Sequence, residues 1–507
     1  MARSINIMGL VGTGVMGAGI AQIAAQAGVQ VRLYDAREGA ARDARDNLGA
    51  TLGKLVAKGK IAQDAADAAL ALLKPLATIE ELSGCDMVVE AIVENLDAKR
   101  GLLTQLEGIV DAECILATNT SSLSVSAIAT ACRHPQRVAG FHFFNPVPLM
   151  RVVEVIDGIA TVPAVSDALL ELARRMGHTG VRAKDTPGFI VNHAGRAYGT
   201  EALKILGEGV AQQGEVDRIL REGAGFRMGP LELFDLTALD VSHPVMESIY
   251  NQFYHDPRYT PSPLTRQMLV AGRVGRKVGQ GFYRYQNGQM VDAPQPVPSV
   301  EQLPPVWVAT ENANDRQKLV ELLDQLGAQV ETGERPSEQA LCLIAPYGYD
   351  ATTAAGRFSV DAARTLCIDL LTDLSRHRTL MMTPATRPEM RAAAHALFAR
   401  DGVGVSVIRD SVGFVAQRVL AMVVNLACDI AQQRIASPED IDQAVRLGLG
   451  YPQGPLAWGD SLDPRRLLTI LERMVSVTND PRYRPSPWLR RRAQLGLSLR
   501  LDEPSAV

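Results

Sequence analysis

The chain has 507 residues, with 52 Lys and Arg against 56 Asp and Glu, which gives a formal net charge of −4 at pH 7. The charges are spread without long basic runs, so neither nucleic acid nor an anionic membrane surface is expected as a partner. A chain of this length is predicted to form three or four domains, each large enough to bury its own core.

The cysteine pattern and the hydropathy of the chain indicate its cellular location. The chain enters a predicted strand at once, and no uninterrupted apolar stretch approaches the length of about 18 residues that spans a membrane. The cysteines lie far apart, with no CxxC pair and no Cys/His cluster, so we expect reduced core residues, no disulfide and no metal site. They are Cys85, Cys114, Cys132, Cys342, Cys367 and Cys428. A cytoplasmic location is therefore expected.

The strongest motif follows the first predicted strand, residues 5–11, which runs directly into the sequence GTGVMG at 12–17. In a dinucleotide site, Gly12 permits the tight turn, Gly14 lets the pyrophosphate approach the backbone, and Gly17 lets the next helix pack closely. The helix N-terminus then faces the phosphates. The pattern alone is weak, because a glycine-rich turn between a strand and a helix is often only a turn.

An acidic residue supports the dinucleotide interpretation. The second predicted strand, 28–35, ends in Asp35, which lies 18 residues after Gly17. Its carboxylate can accept hydrogen bonds from the adenosine ribose hydroxyls and would repel a 2′-phosphate, so the sequence favours NAD over NADP. Arg37 is close enough to weaken that preference.

Two further predicted strands end in polar residues. The strand at 88–95 ends in acids, and the strand at 115–122 ends in hydroxyls that include Ser121. Ligands of doubly wound sheets lie beyond the carboxyl ends of strands, which makes these residues candidates for the site. The alternative is structural, with Ser121 or Ser122 capping a helix near 125–131.

A histidine and a glutamate lie on two adjacent predicted strands, His142 within 137–146 and Glu154 within 150–156. A lone histidine among aromatic residues is more often a core residue than a catalyst. A glutamate embedded among valines needs a partner, however, and a histidine across the strand pair would supply one. Such a pair can take the proton of an alcohol during hydride transfer, with the carboxylate orienting the ring.

The chain also contains an internal duplication. The segment DTPGFIV at 185–191 recurs as DSVGFVA at 410–416, a separation of 225 residues, and both copies open long helical patterns. The sequence therefore predicts an α/β Rossmann-type dinucleotide-binding domain, a duplicated all-α domain and a reduced Rossmann-like α/β domain without a glycine loop. The predicted boundaries are 1–185 for the first domain, 186–285 and 410–500 for the helical copies, and 300–409 for the reduced domain.

Together with the glycine loop, three motifs resemble the L-3-hydroxyacyl-CoA dehydrogenase family: HFFNP at 142–146, DTPGF at 185–189 and KVGQGFY at 277–283. The resemblance spans residues 5–285, and the whole layout is similar to the long bacterial forms of the 3-hydroxybutyryl-CoA and phenylacetate-pathway 3-hydroxyadipyl-CoA type. It implies NAD-dependent oxidation of an (S)-3-hydroxyacyl-CoA to its 3-oxoacyl-CoA, in fatty-acid or phenylacetate catabolism.

The resemblance assigns roles to four residues of the reaction site. It makes His142 the general base and Glu154 its orienting partner. Ser121 would hydrogen-bond the 3-oxygen of the substrate, and Asn192 would help to hold the reacting carbonyl.

Cofactor and coenzyme A contacts are also implied by the resemblance. The cofactor-binding positions fall on Gly12, Gly14, Gly17, Asp35, Glu94, Lys99 and Asn145. Thr51 and Lys58 match positions that touch coenzyme A, although threonine replaces the usual serine. From the sequence pattern alone, Lys58 is an ordinary solvent-exposed lysine of a helix.

The second half departs from the family pattern, since Gln417 stands where Asn192 does and no His/Glu pair follows a glycine loop. We therefore expect one active site per chain. Helical domains of the family pair across a dimer, so the second copy is expected to form an internal pseudo-dimer with the first. Whether the chains also form a homo-oligomer is left open.

Two other functions remain as alternatives. One is a β-hydroxyacid dehydrogenase that acts on a free carboxylate. Such enzymes use a lysine base from the helical domain, whereas here no lysine follows Asn192 until Lys204. The other is a non-catalytic protein that keeps the NAD-binding fold for a structural purpose.

Overall fold

A computed structural model describes residues 4–291 and 297–503. Contacts between residues divide the chain into two compact units. The first unit comprises the described parts of 1–194, 430–450 and 502–507, and the second comprises those of 195–429 and 451–501. The first unit thus contains a segment, 430–450, that the repeat assigns to the second helical copy.

The strands form two large sheets and one hairpin. They are β1 Ile7–Val11, β2 Gln30–Tyr34, β3 Leu73–Pro75, β4 Met87–Glu90, β5 Ile115–Thr118, β6 Val138–Phe143, β7 Val152–Asp157, β8 Thr179–Lys184, β9 Arg284–Gln286, β10 Gln289–Val291, β11 Val306–Thr310, β12 Val330–Glu331, β13 Leu341–Ala345, β14 Thr365–Ile368, β15 His377–Met382 and β16 Gly404–Ile408. The first sheet has the order β3-β2-β1-β4-β5-β6-β7-β8, and the second has the order β12-β11-β13-β14-β15-β16.

The helices cover the faces of the sheets and build the duplicated helical part. They are α1 Val15–Gln26, α2 Ala40–Ala57, α3 Gln63–Ala71, α4 Leu96–Glu107, α5 Val125–Ala129, α6 Pro163–Arg175, α7 Val191–Ala194, α8 Arg196–Gly207, α9 Gln213–Arg218, α10 Pro230–Thr237, α11 Leu239–Gln252, α12 Pro263–Val270, α13 Ala313–Gln325, α14 Ala351–Phe358, α15 Pro388–Phe398, α16 Val415–Gln432, α17 Pro438–Leu449, α18 Pro455–Ser461, α19 Pro464–Thr478 and α20 Pro487–Leu495.

The first sheet confirms the Rossmann-type prediction. Strands β1 to β6 run parallel, with β1 between β2 and β4, so the chain reverses direction across the sheet beside β1. That reversal opens a crevice at the carboxyl ends of the strands, where ligands of such sheets bind. Both faces of this sheet are covered by helices, and its strands are accordingly nearly continuous runs of apolar residues.

Two strands of this sheet, β7 and β8, run against the other six. Strand β7 pairs antiparallel with β6, in a register that sets His142 opposite Glu154, and pairs parallel with β8. The short connection between β6 and β7 permits only an antiparallel return, since a parallel crossover needs a dozen residues or more. The predicted strand pair is therefore correct, and its register brings the two candidate side chains together.

The second sheet has the reduced α/β form that the sequence predicts. Three apolar runs within 300–409 predict short buried strands, at 306–309, 340–344 and 379–382, and they appear as β11, β13 and β15. Three strands were missed: β12 has two residues, β14 has four, and β16 opens with Gly404. Runs this short carry little periodicity, so their sheet partners decide their structure.

The repeat motif has the same structural task in both halves. Asp185 accepts hydrogen bonds from the N–H groups of Val125 and Ser126, at the start of α5. Asp410 accepts one from the N–H of Ala351, at the start of α14. Each carboxylate thus satisfies open donors of a helix N-terminus, where negative charge is stabilised.

Within the second unit, the two helical copies contact each other through reciprocal ion pairs. Arg258, from the DPRY sequence of the first copy, pairs with Asp429 of α16 at 2.7 Å. Arg482, from the DPRY sequence of the second copy, pairs with Glu201 of α8 at 3.3 Å. The DPRY arginine of each copy thus pairs with an acid of the other copy.

Within the described residues, one helix, Val415–Gln432, is long and apolar enough to cross a membrane, with a mean hydropathy of 1.2. Polar residues such as Gln417, Arg418 and Asp429 interrupt its apolar run, so an apolar helix of this length was not expected from the sequence. Within the structure 94% of it is buried, as in the core helix of a globular domain.

Candidate active site

The glycine loop has the geometry that the sequence predicts. Gly12 adopts a φ of +94°, which residues with a side chain rarely adopt. A Cβ at Gly17 would lie 1.9 Å from the carbonyl oxygen of Gly12, so no side chain fits there, whereas the space at Gly14 is open to 4 Å. No side chain caps helix α1, which begins at Val15. The loop therefore offers backbone N–H groups to an anion.

Asp35 lies at the end of β2, beside this loop. The N–H and the hydroxyl of Thr13 each donate to its Oδ2 at 2.8 Å, and Nε of Arg37 donates to its Oδ1 at 3.1 Å. Partial burial opposes ionisation, but the hydrogen bonds from Arg37 and Thr13 outweigh it and hold the pKa of Asp35 well below its usual value. The carboxylate is therefore charged across the physiological range.

The loop and Asp35 line a cavity of about 440 Å³, together with Tyr34, Arg37 and residues 91–93. The open backbone at Gly14 fits a pyrophosphate, and the ionised carboxylate fits ribose hydroxyls. These residues fit NAD as the resident cofactor.

Glu94 and Lys99 lie close together. The ammonium of Lys99 lies 2.8 Å from Oε1 of Glu90 and 3.4 Å from Oε2 of Glu94, and its side chain is 1% exposed. Burial raises the pKa of Glu90, while for Glu94 the Lys99 charge and the hydrogen bond from Thr120 outweigh burial and lower the pKa. Lys99 is thus engaged by carboxylates, and its geometry suits a residue that positions Glu94.

The histidine and the glutamate meet as the sequence predicts. Nδ1 of His142 lies 2.6 Å from Oε2 of Glu154, and both side chains are buried. An ionised carboxylate has no proton to donate, so Nδ1 carries the proton of this bond. Nε2 is then the nitrogen with a free lone pair, which a general base requires. The rings of Phe144 and Phe189 lie against the imidazole.

Sequence reasoning did not find what holds Glu154. The backbone N–H groups of Ile190 and Val191 both donate to its Oε1, at 2.9 and 2.8 Å. They are directed there by a turn in which Phe189 has a φ of 49°, the left-handed region that disfavours bulky residues. Phe414, the repeat equivalent, has no positive φ. The left-handed turn therefore occurs at Phe189, beside Glu154, and not at the equivalent position of the second half.

Ser121 and Asn192 are linked to each other and to Glu94. The side-chain amide of Asn192 lies 3.4 Å from the carbonyl oxygen of Ser121, and the Ser121 hydroxyl lies 3.3 Å from Oε1 of Glu94. The capping alternative for Ser121 is not what the structure shows, because the side chain of Ser124 accepts the cap hydrogen bond of α5. Ser121 keeps its hydroxyl at the carboxyl end of β5.

The remaining predicted positions are at the surface. Asn145 is exposed and follows β6. Thr51 is exposed on α2 and donates to the carbonyl of Asn47 at 2.9 Å, and Lys58 is exposed directly after that helix. No measured contact in the described part of the chain joins Thr51 or Lys58 to the dyad.

Two further polar residues lie at the strand ends that the sequence marks as candidate site positions, although neither was given a role. Glu90 at the end of β4 receives the Thr118 hydroxyl and the Lys99 ammonium. The side-chain oxygen of Asn119 accepts the N–H of Phe143, which ties the end of β5 to β6. A carboxylate in a fully apolar strand was the available signal for Glu90, since such a group needs a partner. Elsewhere in the described ranges, no cluster of His, Cys, Asp and Glu could hold a metal ion.

The fold and this geometry define an oxidoreductase with a dinucleotide crevice and a buried acid–base pair. The profile "3-hydroxyacyl-CoA dehydrogenase, NAD binding domain" matches residues 7–186. The profile "3-hydroxyacyl-CoA dehydrogenase, C-terminal domain" matches twice, at 188–285 and 413–501. The chain belongs to the 3-hydroxyacyl-CoA dehydrogenase family, whose enzymes oxidise a CH–OH group, and its cofactor is NAD.

Individual relatives cover either nearly the whole chain or a little over half of it. The 3-hydroxyadipyl-CoA dehydrogenase of Escherichia coli K12 is 37% identical over 98% of this chain and 99% of its own length. A probable 3-hydroxybutyryl-CoA dehydrogenase of Deinococcus radiodurans is 42% identical over 55% of this chain and 99% of its own length. A crystal structure of 3-hydroxybutyryl-CoA dehydrogenase from E. coli K12 has a TM-score of 0.85 and 35% identity, covering 97% of this chain and 99% of that one.

Proposed function

We propose that the protein catalyses the reversible, NAD-dependent oxidation of an (S)-3-hydroxyacyl-CoA to the 3-oxoacyl-CoA, with His142 as the general base. The observation that carries the proposal is the buried 2.6 Å contact between Nδ1 of His142 and Oε2 of Glu154, on strands β6 and β7 of the sheet that carries the glycine loop. NAD, when bound, supplies the hydride acceptor.

The proton and the hydride leave the substrate separately. As C3 loses its hydride, the 3-hydroxyl proton passes to Nε2 of His142, and the C3–O bond becomes a carbonyl. Glu154 fixes the ring and stabilises the imidazolium, because its two backbone hydrogen bonds leave the carboxylate one orientation. Ser121 and Asn192 hold the oxygens of the acyl group, where donors are most useful as charge develops.

The substrate class rests on the relatives. Several that align over nearly their whole length are named as dehydrogenases of 3-hydroxybutyryl-CoA or 3-hydroxyadipyl-CoA, and others more broadly as 3-hydroxyacyl-CoA dehydrogenases. We extend this to an acyl-CoA substrate here, with Thr51 and Lys58 as coenzyme A contacts and Asp35, Glu94, Lys99 and Asn145 around the cofactor. Fatty-acid β-oxidation or phenylacetate catabolism would supply such a substrate.

We further propose one active site per chain, in the organisation 1–185, 186–285, 300–409 and 410–500. In the second sheet, the N–H of Asp369 donates to the carbonyl of Thr379, so these two residues stand across the antiparallel pair, as His142 and Glu154 do in the first. Gln417 donates to Asp369 at 2.9 Å. An aspartate facing a threonine lacks an imidazole to serve as base at neutral pH.

The described cysteines are all free and buried, which suits the reducing cytoplasm. The internal pseudo-dimer of helical copies rests on the reciprocal ion pairs of Arg258 and Arg482. A free-acid dehydrogenase is disfavoured, because the ammonium of Lys204 is engaged by Glu208 and Asp480 at 3.2 and 3.4 Å.

The test is an absorbance assay of NADH consumption with acetoacetyl-CoA. Turnover supports the proposal, whereas both a free-acid dehydrogenase and a non-catalytic protein predict none. The same assay over a series of 3-oxoacyl-CoA lengths, including a dicarboxylic acyl group, identifies the preferred substrate. Activity with free 3-hydroxy acids and none with any CoA ester would overturn the proposal.

A further inference from the structure

Helix α17 belongs in sequence to the second helical copy, yet it packs in the first unit against β7, β8 and α7. The segment before it is also attached there, since the N–H of Lys184 donates to the carbonyl of Ile435 at 2.8 Å. A part of the copy that lacks the family's catalytic pattern thus lies beside the strand that carries Glu154.

Helix α17 comes into close contact with this region at Gly448, one residue before the end of the helix. A Cβ at this position would lie 3.0 Å from both γ-methyl carbons of Val191 and 3.6 Å from one of Val152. Contacts near 3.0 Å displace the neighbour by tenths of an ångström. The absence of a side chain at Gly448 therefore sets how closely α17 approaches Val191.

Both residues that Gly448 faces are tied to the glutamate of the dyad. The N–H of Val191 donates to Oε1 of Glu154 at 2.8 Å. Val152 lies two residues before Glu154 on β7, so the two side chains share a face of the strand. Pressure on Val191 moves the donor that orients the carboxylate, and pressure on Val152 moves the strand that carries it.

The equivalent position in the second unit is not tightly packed. Gly223 lies 225 residues before Gly448, and a Cβ there would lie 3.6 Å from the Thr372 hydroxyl oxygen and 3.7 Å from Cβ of His377. These are ordinary van der Waals distances. The close fit thus occurs at Gly448, which faces residues that hold Glu154. It does not occur at Gly223, in the half of the chain where Thr379 replaces that glutamate.

We propose that Gly448 is a positioning residue for the His142–Glu154 pair, through which the second helical copy supports the active site of the first half. The inference rests on the proposed function, because it assumes that this pair is the base. Helix α17 holds Val191 in place, and Val191 holds the Glu154 carboxylate in the orientation that the imidazole needs. A catalytic group that shifts by a fraction of an ångström loses rate without losing its fold.

The test is the variant Gly448→Ala, with Gly356→Ala as a matched control. Gly356 is an exposed glycine within α14 that has nothing within 4 Å of its Cβ position. Alanine favours a helix over glycine, so propensity alone predicts unchanged or higher stability for both variants. We expect Gly448→Ala to lower kcat about tenfold, with NADH affinity and the KM for NAD unchanged. Gly356→Ala is expected to retain wild-type kcat.

A second substitution distinguishes pressure on Val191 from a general defect. Combining Gly448→Ala with Val191→Ala removes the γ-methyl groups that the new Cβ meets, and should restore most of the lost kcat. If Gly448→Ala does not bind NADH, Val191→Ile applies the pressure from the other side with α17 unchanged, and the same fall in kcat is expected. Wild-type kcat in Gly448→Ala, a fall that Val191→Ala does not relieve, or wild-type kcat in Val191→Ile would each overturn the inference. If His142→Ala also keeps its turnover, the proposed function itself is wrong.

Discussion

The guanidinium of Arg418 and the carboxylate of Glu201 form a buried ion pair, with Nε 2.8 Å from Oε1, that joins the two helical copies inside the second unit. Burial alone would keep Glu201 neutral, but the charges of Arg418 and Arg482 reverse the effect and lower its pKa. The Tyr483 hydroxyl adds a hydrogen bond of 2.9 Å.

Glu201→Ala should destabilise the second unit by about 3–5 kcal/mol, because it leaves buried guanidinium groups without their counter-charge. All three tryptophans of the chain, Trp307, Trp458 and Trp488, lie in that unit, so their fluorescence during urea unfolding reports on it alone. The control is Glu472→Ala, which removes an exposed pair with Arg490 and should cost less than about 1 kcal/mol. An equal loss of unfolding free energy in the two variants would contradict a stabilising role for the buried ion pair of Glu201.

Asp369 should make the second unit less stable as pH rises. Burial raises its pKa from 3.8 to about 6, against hydrogen bonds from Leu371 and Gln417 that lower it. A carboxyl group with a higher pKa in the folded than in the unfolded protein binds its proton more tightly in the fold. Its contribution to the free energy of unfolding is fully present below the unfolded pKa and is lost as pH rises to the folded pKa. The loss between pH 4 and 7 should be about 2 kcal/mol.

The variant Asp369→Asn has the shape of the protonated acid and does not titrate. Its free energy of unfolding, measured by tryptophan fluorescence, should lack the pH-dependent loss that Asp369 causes. The stability of the variant relative to the wild type should therefore rise between pH 4 and 7. A difference between the two proteins that stays constant over this range would show that Asp369 ionises normally in the fold.

The positions of single side chains in the first half were predictable because chemistry restricted them. A glycine loop followed by an acid leaves few alternatives to a dinucleotide crevice, and a glutamate among valines requires a partner, which was found at His142. The support of Glu154 was not predictable. Its donors are backbone N–H groups at 190 and 191, which every non-proline residue has, and they are aimed by the left-handed turn at Phe189.

Long-range packing was the other part that sequence could not give. The repeat shows that α17 belongs to the second helical copy, but nothing in its composition indicates that it packs beside β7 and α7. The role of Lys99 was only partly predicted, since its burial against Glu90 depends on how β4 and α4 meet. Short strands such as β14 are likewise decided by their neighbours in the sheet.

Asp35→Asn should weaken the preference for NAD over NADP. The ionised carboxylate repels a 2′-phosphate, and the variant also frees Arg37, which otherwise donates to Asp35 at 3.1 Å. The ratio of kcat/KM for NAD to that for NADP is expected to fall at least about tenfold, or about 1.4 kcal/mol. The control is Asp43→Asn, at an exposed position of α2, which should leave the ratio unchanged. An unchanged ratio in Asp35→Asn would mean that another group selects the cofactor.

Lys99→Met should destabilise the first unit by roughly 3–5 kcal/mol, because the carboxylate of Glu90 is buried and would lose its counter-charge. NADH affinity should also fall, since Glu94 loses the ammonium that holds it. The measurement is NADH binding as a function of urea. Adding Glu90→Gln removes the unpaired charge and should recover part of the stability. No recovery in the double variant would mean that Lys99 acts mainly through packing.

The most direct test of the central claim compares His142→Ala and Glu154→Gln with the wild type, in steady-state turnover and in NADH binding. We expect turnover to fall by about 10³-fold or more in His142→Ala and by orders of magnitude in Glu154→Gln, while both variants bind NADH as the wild type does. His134→Ala, at an exposed histidine of the first unit, should turn over normally. Near wild-type turnover in His142→Ala, with NADH binding intact, would assign the base to another residue and contradict the account.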